Sequence, residues 1–250
     1  MVSILIKGLV FASLVGMAAA QTATNGKKGI GLTESSGLGA AQLSALQVTW
    51  FYNWGAATQI QHAAQFVPMV FSPKRVRELP GQHRVVLGFN EPDNTKQANA
   101  SPEQALAVWG ALRQKADTVG SPALAKNPIK QGNWLSTFLG LGAQVDFIAV
   151  HWYKGIEADK FIADMQALCK AYGKPVWVTE FAPQTAAQAR EEPQKYSQAQ
   201  VDRFIRDATA WMATSSCVQR YAWHDAKTGT SALFDNERLT ATGQTYAAIP

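Results

Sequence analysis

Short apolar runs recur along the chain, and each is followed either by a polar stretch or by apolar residues at helical spacing. Eight runs read as buried strands: Ile30 to Leu32, Val48 to Trp54, Phe66 to Phe71, Val85 to Asn90, Thr118 to Ser121, Val145 to His151, Val176 to Glu180 and Arg220 to His224. Helical spacing appears between them. Ser101, Pro102 and Gln104 form a capping box with proline in the first turn, opening a helix to about Ala116 that buries Leu106, Trp109 and Leu112. A helix is predicted from Trp134 to Leu139, and Phe161, Ile162, Met165 and Leu168 make a core stripe after strand six. Ser197 with Gln200 repeats the capping box ahead of Val201, Phe204, Ile205, Ala208, Trp211 and Met212, and a last helix is predicted near Ala241 to Ala248. Eight strands with intervening helices are the arithmetic of an α/β fold of the (β/α)8 TIM-barrel kind, as a single compact domain. The early strands lie only about 20 residues apart, so the first helices must be short.

Composition agrees with one domain: 250 residues, 47% hydrophobic and 16% charged, suffice for a substantial core. Residues 1–20 carry Lys7, an apolar run from Leu9 to Met17 and a small-residue ending at Ala20, the pattern of a cleaved signal peptide. The barrel is therefore expected over residues 21–250, secreted or periplasmic, with no membrane partner once the signal is removed. Losing Lys7 takes the formal charge from +5 to +4 without any basic run, so nucleic acid is not expected as a partner. Export makes a disulfide between Cys169 and Cys217 plausible, against the alternative of two buried thiols. Each cysteine ends a predicted helix shortly before a strand, and consecutive βα units would bring both to the same face.

Two of the strands end in an acid. GFNEPD places Glu91 directly after an apolar strand, with Gly88 allowing close backbone approach and Pro92 ending the run. PVWVTEF ends with Glu180, 89 residues later, about three βα repeats. Parallel α/β folds place their chemistry at the C-terminal ends of strands, and paired carboxyls there are what glycoside hydrolysis needs. No His, Cys or carboxylate cluster has metal-ligand spacing and no glycine-rich phosphate loop is present, so neither a metal nor a cofactor is expected. Among the aromatics, Trp109 and Trp211 sit at core spacing on helices. Strict alternation around Val176 and Val178 points Trp177 outward into the helix layer. Trp54 and Trp223, near strand ends, are read as sugar-stacking rings, with Tyr221 sharing the inward face of Trp223. Trp50 and Tyr52 share the face of Trp54 but lie deeper, and divide evenly between sugar contact and packing.

The strings WFYNW at Trp50, GFNEPD at Gly88, HWY at His151, WVTEFA at Trp177 and YAWHD at Tyr221 resemble glycoside hydrolase family 128, the Asl1-like compact β-1,3-glucanases of the retaining barrel clan. The resemblance implies a retaining β-1,3-glucanase acting on β-1,3-glucan, with Glu91 the acid/base and Glu180 the nucleophile. It also implies that Asn90 bonds the sugar 2-hydroxyl, and it favours functional roles for His151 and Tyr153. With the leader, the leading expectation is a secreted, monomeric, endo-acting enzyme, endo or exo action depending on whether loops such as the polar stretch from Pro183 to Ser197 after strand seven close one end of the cleft. Two alternatives stand beside it. One is a barrel glycosidase for another neutral β-glycan, such as β-1,4-mannan or β-1,4-glucan. The other is a non-catalytic glycan-binding wall protein, for which a matched pair of strand-end glutamates has no use.

Overall fold

The computed structural model describes residues 26–34, 37–225 and 227–250; the expected signal peptide lies outside them. Eight parallel strands run in chain order: β1 (Lys28–Gly31), β2 (Trp50–Tyr52), β3 (Gln65–Phe66), β4 (His83–Val86), β5 (Ala116–Val119), β6 (Ile148–Trp152), β7 (Val176–Phe181) and β8 (Val218–His224). One continuous ladder has the order β3-β2-β1-β8-β7-β6, and β4 pairs with β5 separately. The two seams are single bridges, Met69 to Leu87 and Gly120 to Phe147. Pro68, which cannot donate, still accepts from Leu87 N at 2.9 Å across the first seam. At Gly88 the neighbouring chain comes so near that a Cβ would lie 2.6 Å from the Gly120 carbonyl oxygen. The architecture is the TIM-like α/β barrel that the strand count predicts.

The helices are α1 (Ala40–Leu46), α2 (Pro102–Arg113), α3 (Trp134–Gly140), α4 (Ala158–Tyr172), α5 (Ala186–Glu191), α6 (Gln198–Thr214) and α7 (Ala241–Ala247). Early connections are indeed brief: α1 has 7 residues, no helix joins β2 to β3, and a 3-10 turn at Pro73–Glu78 precedes β4. Both expected capping boxes form, at Ser101 with Gln104 and at Ser197 with Gln200. Helix α2 stops at Arg113 rather than near Ala116, because Ala116 already pairs with His83 in the ladder. In the polar stretch from Pro183 to Ser197, Thr185 and Gln188 form a third capping box and nucleate the short helix α5. A short hairpin, β9 (Phe234–Asp235) with β10 (Arg238–Leu239), precedes α7. Among the described residues no helix is long and apolar enough to cross a membrane.

Two apolar layers hold the ring. The outer one lies between strands and helices; the inner one fills the barrel with Trp50, Tyr52, Met69, Leu87, Phe147 and Trp177 among others. Trp177 therefore faces inward, contrary to the alternation argument. Val150 pairs with Val178 but His151 pairs with Glu180, so Thr179 is an extra residue in β7. That bulge reverses the parity between Glu180 and the start of the strand, and Trp177 and Glu180 end on the same side. Trp177 stacks on Phe147 with centroids 4.2 Å apart, and the Arg220 guanidinium lies over the Trp177 ring, 4.5 Å from its centroid. The Cys169–Cys217 disulfide joins the end of α4 to the start of β8, with Cα atoms 6.2 Å apart.

Candidate active site

Glu91 and Glu180 come together at the C-terminal end of the barrel. The chain leaves β4 through the bridge of Asn90 to Ala123, and Glu91 N then donates to Ala123 O at 2.8 Å. Its φ of +43° is a left-handed conformation that costs a non-glycine residue about 1–2 kcal/mol. The cost is offset by local ties. Asp93 accepts from Ala125 N and Lys126 N at 2.9 and 3.0 Å, locking the GFNEPD turn to the loop after β5, and Asn94 Nδ2 donates to Glu91 Oε2 at 2.9 Å.

Glu180 has a richer set of donors. Trp54 Nε1 donates to its Oε1 at 2.8 Å, the Tyr52 hydroxyl reaches the same oxygen at 3.1 Å, and the Tyr153 hydroxyl donates to Oε2. His151 stands between the two acids, its Nδ1 3.0 Å from Glu91 Oε1 and 3.4 Å from Glu180 Oε2. The side chains of Glu91 and Glu180 are 12% and 7% exposed, so they are open to a ligand yet poorly solvated. Burial by itself would raise the Glu180 pKa. The charges of His151 and His224 and the bonds from Tyr153 and Trp54 outweigh it, leaving this carboxyl below its ordinary value. For His151 burial works downward, but Glu180 and Glu91 overcome it and raise its pKa.

Ligand atoms of Glu91, His151 and Glu180 lie within 4.8 Å of one another. Such a trio could coordinate a dication, a grouping that sequence spacing does not reveal. Here all four carboxylate oxygens already have protein partners, so a cation would have to displace those bonds. Around the pair opens a cleft of about 550 Å³, with Trp54, Phe71, Asn90, Gln97, Arg190 and His224 in its walls. Asn90 Nδ2 donates to Gln97 Oε1 at 3.2 Å, which leaves the buried Asn90 Oδ1 without a partner among the described residues.

A family model described as the glycosyl hydrolase catalytic core matches residues 29–246. The chain belongs to this family and is a glycoside hydrolase. Solved family 128 structures are similar to it throughout. The subgroup I endo-β-1,3-glucanase of Amycolatopsis mediterranei in complex with laminarihexaose has a TM-score of 0.78 and 30% identity, covering 90% of this chain and all 100% of its own. The subgroup V exo-β-1,3-glucanase of Cryptococcus neoformans has a TM-score of 0.75 and 26% identity, covering 90% and 99%. Alkali-sensitive linkage protein 1 of Schizosaccharomyces pombe is 26% identical over 219 residues, 81% of this chain, and the chain spans only 39% of that relative's length.

In this glycoside hydrolase the aromatics divide differently from the sequence reading. Trp54 lines the cleft. Trp223 does not: it is fully buried in the outer layer against Phe181, Phe204 and Tyr246, with Nε1 donating to Ser231 O at 3.0 Å. Tyr221 also packs in the outer layer, whereas Ala222 faces the barrel interior. The inward parity of β8 is thus that of Ala222 and His224, one residue out of step with the assignment of Trp223 to the cleft. Trp50 is fully buried inside the barrel, its Nε1 bound to Lys27 O at 3.0 Å, too deep for a sugar. Tyr52 is equally buried, so it offers no stacking face, but its hydroxyl touches the Glu180 carboxylate. Tyr153 and His151 stand beside the paired acids as described.

Among the cleft residues that the sequence reading did not single out is His224. It lines the cavity and meets the rings of Trp54 and Tyr153 edge-on at 5.8 and 5.4 Å. The string YAWHD contained it, and fixing the strand parity on Ala222 would have found it. Arg190 and Ala186 reach the cleft from α5, in the polar stretch between β7 and α6.

Proposed function

We propose that this glycoside hydrolase is an exported retaining endo-β-1,3-glucanase, with Glu91 as acid/base and Glu180 as nucleophile. The observation that carries the reading is the pair of carboxyls with oxygens within 4.8 Å, each held by a different set of partners. A separation of about 5–5.5 Å suits direct attack by one carboxylate, whereas about 6.5–9.5 Å would leave room for a water. The asymmetry of donors supports the assignment of roles. Glu180 takes bonds from Trp54, Tyr52 and Tyr153 that favour its ionised form, which attacks the anomeric carbon. Glu91 has the more exposed side chain and donates its proton to the departing glycosidic oxygen. In the second half of the reaction Glu91 takes a proton from the incoming water, and the bond from sugar to Glu180 breaks with net retention.

β-1,3-Glucan as substrate is supported by the likeness to glucanases solved with laminari-oligosaccharides. Endo action is supported by the likeness, at 30% identity, to the endo-acting subgroup I enzyme solved with laminarihexaose. Export is supported by the leader-like pattern of residues 1–20 and by the disulfide. Digestion of laminarin and curdlan followed by proton NMR tests the reading. A ladder of oligosaccharides with β-anomers appearing first is expected. First-formed α-anomers would overturn the nucleophile, a single small product from the start would overturn endo action, and activity confined to mannan or cellulose would overturn the substrate.

A further inference from the structure

The geometry points to Glu34 as a positioning residue that clamps the loop after β2 and so holds Trp54 on the nucleophile. This rests on the reading of Glu180 as that nucleophile. Glu34 follows β1, and its carboxylate gathers three donors from one neighbouring loop. Oε1 accepts from Asn53 Nδ2 and from Thr58 Oγ1, both at 2.5 Å, and Oε2 accepts from Gln59 N at 3.3 Å. The amide of Asn53 in turn brackets Trp54. Its Oδ1 accepts from Gly55 N at 2.9 Å and its Nδ2 donates to Ala57 O at 2.8 Å.

Trp54 needs such support. Its φ of +60° lies in the left-handed region, a strained conformation for an aromatic residue. In that conformation the indole passes over Gly31, where a Cβ would sit 2.9 Å from the ring, and Nε1 reaches Glu180 Oε1 at 2.8 Å. Any larger residue at 31 would push the ring away. Two loops, one backbone conformation and one glycine therefore converge on a single N–H to carboxylate bond. A carboxylate suits position 34 because it only accepts, and all three groups facing it are donors. Glutamine can keep its oxygen toward Asn53 and Thr58 and lose only the long contact to Gln59.

The test reads the indole directly. In protein labelled with 15N-tryptophan, the Trp54 Nε1–H signal is identified by its disappearance in Trp54→Phe. Its hydrogen-bonded proton shift should move upfield in Glu34→Ala toward the value in Glu180→Ala, and stay near wild type in Glu34→Gln. Should Glu34→Ala fold poorly, Asn53→Ala breaks the same chain from the other side and should move the signal alike. On laminarin, Glu34→Ala should lower kcat by about tenfold and raise the acid limb of kcat/KM by about one pH unit, the size of one lost bond to a carboxylate. An unmoved Trp54 signal in both Glu34→Ala and Asn53→Ala would overturn the clamp. A wild-type protein inactive on every β-glucan, but with the expected NMR changes, would overturn the proposed function and leave the clamp standing.

Discussion

Tyr153→Phe removes a single hydroxyl and keeps the ring that packs edge-on against His224. That hydroxyl donates to Glu180 Oε2, and burial together with the Glu180 charge holds the phenol pKa well above its ordinary value, so it remains a donor across the working pH range. A hydrogen bond to an ionised group contributes about 1.5–3 kcal/mol. Without it, Oε2 keeps only His151 at 3.4 Å. At about 1.36 kcal/mol per pKa unit, the Glu180 carboxyl should rise by about 1–2 units. The folded-state pKa of Glu180 is depressed, so its ionisation stabilises the fold above the ordinary carboxyl range, and the contribution is lost as pH falls through the folded value. Two results follow from the same bond. The acid limb of kcat/KM on laminarin moves up by about 1–2 pH units. Stability at neutral pH, read by urea titration, falls by about 1.5–3 kcal/mol, and the gap to wild type closes in acid. A folded variant whose acid limb stays in place would refute the account of Glu180 as a carboxylate kept ionised by its donors.

Glu91→Ala should slow cleavage of unactivated glucan by about 10²–10⁴-fold, and on an aryl β-glucoside whose leaving group departs without acid help, added azide should restore turnover and yield a β-glycosyl azide. No azide adduct would remove Glu91 from the acid/base role. Trp223→Ala, in the outer layer, should cost about 3–5 kcal/mol in urea unfolding. Loss of oligosaccharide affinity at unchanged stability would instead place that ring in the cleft. Replacing Cys169 and Cys217 together by serine frees a loop with 48 residues of separation, worth up to about 4 kcal/mol in chain entropy, and should lower the urea midpoint without moving the pH profile. A midpoint equal to wild type would show that the bridge adds nothing to stability.

The barrel and its paired acids could be read from the chain because both signals are local. GFNEPD and PVWVTEF each set a glutamate at the end of an apolar run, and their spacing matches whole βα units. Facing was harder to read, because alternation holds only along an unbroken ladder. Thr179 inserts one residue in β7, so Trp177 and Glu180 share a side that period two would forbid. In β8 the same one-residue ambiguity exchanged Trp223 for His224. Helix α5 was hidden for another reason: it has 6 residues, too few for an apolar stripe, although Thr185 and Gln188 signalled its start. Glu34 had no signal of its own, since its three donors come from a loop about 20 residues away that no periodicity connects to it.

The most direct measurement is to trap the intermediate. Incubation with an activated 2-deoxy-2-fluoro laminaribioside, followed by peptide mass spectrometry, should find a single fluorinated laminaribiosyl group esterified to the peptide that contains Glu180. Label on the peptide containing Glu91, or steady turnover with no adduct and inverted product, would contradict the central claim that Glu180 attacks and Glu91 delivers the proton.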